Sequence, residues 1–211
     1  MRNTKSELLI LFDLGNILVK LNSVDQFWYG QDLQPAHEIC QQRWIGSQAV
    51  RDLETGKIKD LKHFYRTAAR ELELDLDYMK FEKIFISLIG DKFAQTDLML
   101  AELSQHYRLM ILSDTSEPHW RYCEQELGLG HYIEKAFLSY ELGFMKPDKR
   151  VYKTVLSEVD VIPQNIYYFD DKTDNVKAGK LAGMNAYVSW GGETLICQLK
   201  QIGLLADNVN I

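Results

Sequence analysis

Asp13 closes the apolar run 8–13 and is followed by Leu14, Gly15 and Asn16, while Asp170 and Asp171 close another apolar run within YYFDDKTDN (167–175). If both runs are strands of an open parallel sheet, these acids sit at the carboxyl ends of the strands, where such sheets place their ligand crevice. Two carboxylates about 4 Å apart repel by roughly 4 kcal/mol at an effective dielectric near 20, so three that converge require a proton or a cation. Mg²⁺ is the simplest cation, being a hard ion satisfied by carboxylate, carbonyl and water oxygens. Two further residues belong with them. Ser113 ends RLMILS (108–113) with a hydroxyl able to bind an anion, and Lys146 lies in GFMKPDKRVY (143–152), where Pro147 is placed to open a helix and hold the lysine at the crevice edge. Each has a plainer reading: a turn for Asp13, a helix cap for Ser113 or for the Asp170–Asp171 pair, a solvated loop for Lys146. Two adjacent acids, however, exceed what one cap needs.

The elements that must position these groups are short buried strands, expected at 8–13, 108–113, 135–139, 166–170 and near 186–189. Helical patterns alternate with them at 96–106, 117–127, 148–158 and 173–182, the last two bounded by Pro147 and Gly183. Strand alternating with helix predicts an α/β fold with a Rossmann-like, doubly wound parallel sheet. The interval between the first two strands breaks the rhythm, and no strand pattern is evident in it. Leu61, Phe64, Ala68 and Leu72 recur at helical spacing, as do Phe81, Ile84, Phe85 and Leu88, and Ile39, Trp44, Ala49, Val50 and Leu53 suggest one or two helices more. So long a run is no simple connection, and it predicts a helical cap over 20–92 inserted into a core made of 1–19 and 93–211.

Bulk properties narrow the function classes. With 211 residues, 46% of them hydrophobic, the chain has ample material for a buried core. A formal net charge of −6 and the absence of a Lys/Arg block argue against nucleic acid as a partner. The apolar run near the start is too short for a signal peptide or a span, and no other run approaches the roughly 18 residues a span needs, so no membrane partner and a cytoplasmic location are expected. Cys40, Cys123 and Cys197 form no CxxC pair and are expected to be reduced, small buried hydrophobes. The five histidines lack zinc-ligand spacing.

A strand ending in Asp, a strand ending in Ser, a Lys-Pro and a strand ending in Asp-Asp, in this order, resemble the four motifs of the haloacid dehalogenase superfamily, and the helical insert resembles its first type of cap. The FDLGN and FDDxxDN motifs, with the cap stretch 43–64, are most similar to the phosphatase subgroup that includes the bacterial α-D-glucose-1-phosphate phosphatase. The resemblance implies a Mg²⁺-dependent phosphatase acting on a small phosphorylated metabolite, most plausibly a sugar phosphate, as a monomer or homodimer. It implies that Asp13 is the nucleophile forming an aspartyl-phosphate, and that Mg²⁺ is held by Asp13, the Gly15 carbonyl and Asp171, with Asp170 as ligand or nearby acceptor. Ser113 and Lys146 would hold the phosphoryl oxygens, and Asn175 would act only indirectly. Two positions depart from the family. Gly15 stands where a second Asp usually serves as general acid and base, a contribution commonly worth about 10² to 10⁴ in rate. Asp114 stands beside Ser113 where the subgroup commonly has Asn, so it would face the substrate, repelling phosphate if ionised or donating a proton if neutral. Alternatives are a catalytically weak protein that binds a phosphorylated metabolite, which Gly15 and Asp114 favour, and a dehalogenase, which has no use for the Asp170–Asp171 pair. Trp28, Tyr29, Arg43, Trp44 and Arg51 could line a sugar-binding mouth, although aromatic residues at helical spacing more often form the core of such a module.

Overall fold

The computed structural model describes residues 7–30 and 35–207. Five parallel strands form the main sheet in the order β5-β4-β1-β6-β7. They are β1 (Leu9–Phe12), β4 (Arg108–Ser113), β5 (Lys135–Leu138), β6 (Ile166–Asp170) and β7 (Asn185–Val188). β1 lies centrally, with Leu9 opposite Arg108 on one side and Ile166 on the other. All four β1 residues are fully buried, as expected when both faces of a parallel sheet are covered and the strand reads as an unbroken apolar run.

Alternation along the strands divides these side chains between two cores. Ile10, Phe12, Leu109, Ile111 and Phe169 pack with Met99, Leu100 and Leu103 of α5 (Thr96–His106) and Leu195 and Leu199 of α10 (Glu193–Gln201). Leu9, Leu11, Met110, Leu112 and Tyr168 face the other way, onto Val151, Tyr152 and Val155 of α8 (Lys149–Glu158) and Val176 of α9 (Thr173–Leu181). The sheet is therefore doubly wound, and the expected strands and helices are all present. Within the expected helix 117–127, α6 (Glu117–Arg121) passes into a π-helical turn over Tyr122–Glu126.

The insert contains α1 (His37–Gly46), α2 (Gln48–Glu54), α3 (Leu61–Glu71) and α4 (Tyr78–Ser87). These helices share a hydrophobic cluster of their own, in which Phe27, Trp44, Phe64, Phe81 and Phe85 meet ring to ring at 4.9–6.3 Å. Trp28, at 1% exposure, and the stacked Trp44 thus belong to the insert's core and do not form a sugar-binding mouth. Ile39, expected to face inward, is exposed instead. The interval also holds strands that its pattern did not announce: β2 (Val19–Leu21) and β3 (Ile89–Lys92) pair antiparallel where the chain leaves and re-enters the core. Segments of three and four residues with the sequences VKL and IGDK are too short and too polar to display alternation. Two close contacts seat the insert on the core. His119 of α6 donates from Nε2 to the Phe85 carbonyl at 2.7 Å with its ring stacked on Phe85 at 4.1 Å, and Gly56, just after α2, lies so near Tyr140 that a Cβ there would come within 2.0 Å of the Tyr140 carbonyl oxygen.

Candidate active site

The carboxyl ends of β1, β4 and β6 deliver Asp13, Ser113 and Asp170 to one edge of the sheet, all buried. The backbone N–H of Asp13 continues the ladder to the Phe169 carbonyl at 2.9 Å, so its Cα is set by the sheet, and its Oδ1 accepts from the N–H of Leu14 at 2.8 Å. Lys146 arrives from the segment before α8. It is neither solvated nor at the crevice edge: its ammonium contacts Asp13 Oδ1 at 2.9 Å and donates to Asp170 Oδ2 at 2.7 Å and to the Leu112 carbonyl at 3.0 Å. Its main-chain N–H donates to Asp114 Oδ1 at 3.0 Å, so both ends of the residue are tied to the end of β4. Pro147 does not open α8; Asp148 is the N-cap and accepts from the N–H of Arg150.

The two aspartates of the fourth motif divide their work. Asp170 is fully buried and accepts from Lys146 Nζ, the Tyr168 hydroxyl, Asn175 Nδ2 and the N–H of Lys172. Burial opposes its ionisation, but Lys146 outweighs that cost and holds its pKa below the usual carboxylate value. Asp171 is partly exposed and accepts one side-chain hydrogen bond, from Asn16 Nδ2 at 3.0 Å. One oxygen each of Asp13, Asp170 and Asp171 lies within 4.8 Å of the others, a spacing and donor chemistry that suit a hard divalent cation. With the oxygens of Asp170 already engaged, Asp13 and Asp171 have the lone pairs to offer.

Charge in this cluster is unbalanced. Burial, with Asp170 adding to it and Lys146 opposing, pushes the Asp13 carboxyl up to about 6. For Lys146 burial disfavours the ammonium, yet Asp13, Asp170 and Asp114 together carry its pKa above the ordinary lysine value. It therefore stays charged, one cation among several acids. Asp114 is raised chiefly by burial, with Lys146 opposing; its bond to the lysine loop makes it a fastener of that loop, neither a helix cap nor a solvent-facing acid.

Gly15 is tight for a specific reason. Its φ is not positive, so no backbone constraint demands glycine; a Cβ would instead meet Leu21 Cδ1 at 2.9 Å. A side chain at this position would have to turn aside the half-exposed end of Leu21 from β2. Asn175 is buried and its amide braces both oxygens of Asp170. Among the mouth residues named from sequence, Tyr29 is exposed, Arg43 pairs at 3.8 Å with Glu73, and Arg51 is exposed on α2. Cys197 is exposed, whereas Cys40 and Cys123 are buried; no disulfide joins them.

Two residues that brace the site escaped the sequence reading. Asn16 adopts φ 60°, a left-handed turn that Asn tolerates, and thereby reaches Asp171. The Gly-Asn pair after a strand was an available signal. Tyr168 was hidden because an aromatic in a buried strand reads as core.

Known proteins are similar to this chain in sequence or in fold. The chain is 29% identical over 190 residues, 84% of this chain and 89% of that protein, to D-ribitol-5-phosphate phosphatase of Bacteroides thetaiotaomicron. Its fold matches a predicted HAD-like family hydrolase from Porphyromonas gingivalis with a TM-score of 0.77 at 21% identity, covering 92% of this chain and 97% of that one. It also matches a HAD family enzyme from Bacteroides thetaiotaomicron, solved in complex with magnesium and inorganic phosphate, with a TM-score of 0.75 at 21% identity over 88% of this chain and 96% of that one. Residues 10–188 match the family of haloacid dehalogenase-like hydrolases, and the chain belongs to that family.

Proposed function

We propose that the protein is a Mg²⁺-dependent phosphatase that transfers the phosphoryl group of a small sugar-type phosphate to Asp13 and then to water. The observation that carries this reading is the buried constellation of Asp13, Lys146 and Asp170 beside a lightly bonded Asp171. The phosphatase of 29% identity and the magnesium and phosphate complex of similar fold support it.

The residues divide the task as follows. Asp13 is held by the sheet with one carboxylate oxygen tied to Lys146 and to the N–H of Leu14, which leaves the other to attack phosphorus. Lys146, with Ser113 beside it at the strand end, offsets phosphoryl charge that is already present and builds up further in transfer. Asp13 and Asp171, with the Gly15 carbonyl, would hold Mg²⁺, and Asp170 would keep Lys146 in register behind them. When bound, the ion supplies positive charge that lets an anionic nucleophile approach an anionic phosphate. The helical insert over 20–92 acts as a cap that limits water and selects the substrate.

Leu21 in the space beside Gly15 favours one second reading, a catalytically weak protein that binds a phosphorylated metabolite. A phosphate-release screen over sugar, polyol, nucleotide and aryl phosphates, with Mg²⁺ and with EDTA, separates the two. Release that depends on Mg²⁺ and prefers sugar or polyol phosphates is expected. Binding of these compounds without release in any arm would favour the second reading.

A further inference from the structure

The turn that follows β1 runs Leu14, Gly15, Asn16, and its last residue is held on three sides. The N–H of Asn16 donates to the Val19 carbonyl at 2.8 Å, its own carbonyl accepts from the N–H of Gly191 at 2.8 Å, and its side-chain Nδ2 donates to Asp171 Oδ2 at 3.0 Å. Gly191 is itself wedged, since a Cβ there would come within 2.3 Å of the Phe93 ring and 2.5 Å of the Ile17 carbonyl oxygen. The backbone of Asn16 is thus pinned between the start of β2 and the loop after β7, at φ 60°. Glycine reaches that left-handed conformation at no steric cost, whereas Asn only tolerates it. Gly would serve the backbone at least as well, so what Asn adds is its amide.

What the amide touches decides its role. Asp171 lies one residue beyond the end of β6 and is partly exposed, and among the described residues no hydrogen bond other than that from Asn16 holds its carboxylate. Without that bond its side-chain torsions would be free to turn its oxygens away from those of Asp13 and Asp170, one of each of which lies within 4.8 Å of an Asp171 oxygen. An ionised carboxylate only accepts, so the NH₂ end of the Asn16 amide must face it. The donor is neutral: it fixes the carboxylate and leaves the charge for a cation. Lys146 treats Asp170 in the opposite way, because an ammonium at 2.7 Å both holds the carboxylate and neutralises it. Hydrogen bonds that orient a ligand in this way are commonly worth about 10- to 100-fold in metal affinity.

We propose that Asn16 is a positioning residue that acts through Asp171: its amide turns the Asp171 carboxylate toward Asp13 and so sets the affinity of the site for Mg²⁺. This rests on the Mg²⁺-dependent reading given above. The role needs no contact with substrate or with the reacting atoms. It requires only that the turn after β1 and the end of β6 keep their distance, which the bonds of Asn16 to Val19 and Gly191 secure.

The test is a calorimetric titration of Mg²⁺ into the full chain, without substrate, for wild type, Asn16→Gly, Asp171→Asn and the double variant. Glycine accepts φ 60° and removes only the amide. Asn16→Gly should therefore weaken Mg²⁺ binding about tenfold or more, while its midpoint of urea unfolding in EDTA stays at the wild-type value. Once residue 171 offers no anionic oxygen, orienting it has no value, so adding Asn16→Gly to Asp171→Asn should cost less than about twofold more. Unchanged affinity in Asn16→Gly, equal losses from Asn16→Gly in both backgrounds, or a fall in the urea midpoint without metal would each overturn the proposal while leaving Asp171 as a ligand. A wild-type chain that binds no Mg²⁺, or binds it as tightly with Asp171→Asn, would remove the Mg²⁺ reading and the proposal with it.

Discussion

Asp170 in the core is fully buried and Glu54, at the end of α2 in the insert, is partly buried, yet the core binds one into a fixed network, whereas no hydrogen bond holds the carboxyl of the other among the described residues. Asp170 receives an ammonium, a phenol, an amide and a backbone N–H, and its pKa falls; Glu54 receives nothing, and burial pushes it up to about 7. Burial is common to both, so it is the partner that decides which form of a buried acid persists. The same division runs through the packing. The sheet delivers its polar groups from fixed strand ends, while the insert spends its aromatic residues on its own core.

Removing the fixed cation should have the largest effect. Lys146→Ala leaves two buried carboxylates without their partner, and breaking a buried pair from one side costs about 3–5 kcal/mol, so urea denaturation should show a loss of that order along with phosphate release reduced to background. A stability within about 1 kcal/mol of wild type would mean that water already shields these carboxylates, and the contrast with Glu54 would lose its basis.

His119 ties the two regions together, and its effect comes next. Burial, opposed by the Phe85 carbonyl, lowers its pKa from the ordinary histidine value to about 4, so the folded protein keeps the ring neutral. An unfolded chain therefore binds more protons between about pH 4 and 6.5. The stabilisation is fully present above pH 6.5 and is lost as pH falls toward 4, by on the order of 3 kcal/mol. Urea unfolding at pH 7.5 and pH 5 should show this loss in wild type and less of it in His119→Gln; parallel curves for the two proteins would place His119 outside the seam. A smaller effect is expected from Asp171→Asn. It should raise the Mg²⁺ concentration for half-maximal activity about tenfold while leaving stability nearly untouched, since Asp171 is partly exposed and, among the described residues, its side chain is bonded to Asn16 alone. An unchanged Mg²⁺ requirement would shift the metal onto other groups.

What could be read from sequence follows from how each part is built. Strands buried on both faces must be continuous apolar runs, so β1, β4 and β6 declared themselves, and acids at their ends declared a crevice. Helices with an aromatic stripe, such as α3 and α4, were equally plain. β2 and β3 were not, because their pairing is set by the core strands that hold the two chain crossings together and not by any pattern of their own. Lys146 could be named but not placed: its burial depends on Leu112, Asp114 and Asp170, each distant in sequence. Trp28 and Trp44 were ambiguous because the same rings can fill a core or line a mouth.

Asp13 as the nucleophile is tested most directly by trapping the covalent intermediate. Wild-type protein mixed with ³²P-labelled aryl phosphate and Mg²⁺ and quenched in acid should carry label on the peptide containing Asp13. Asp13→Asn should carry none, remain folded, and release phosphate at least about 10³-fold more slowly, because an amide is a poor nucleophile of nearly the same size. Label on any other residue, or release by Asp13→Asn at a tenth of the wild-type rate or more, would contradict the assignment.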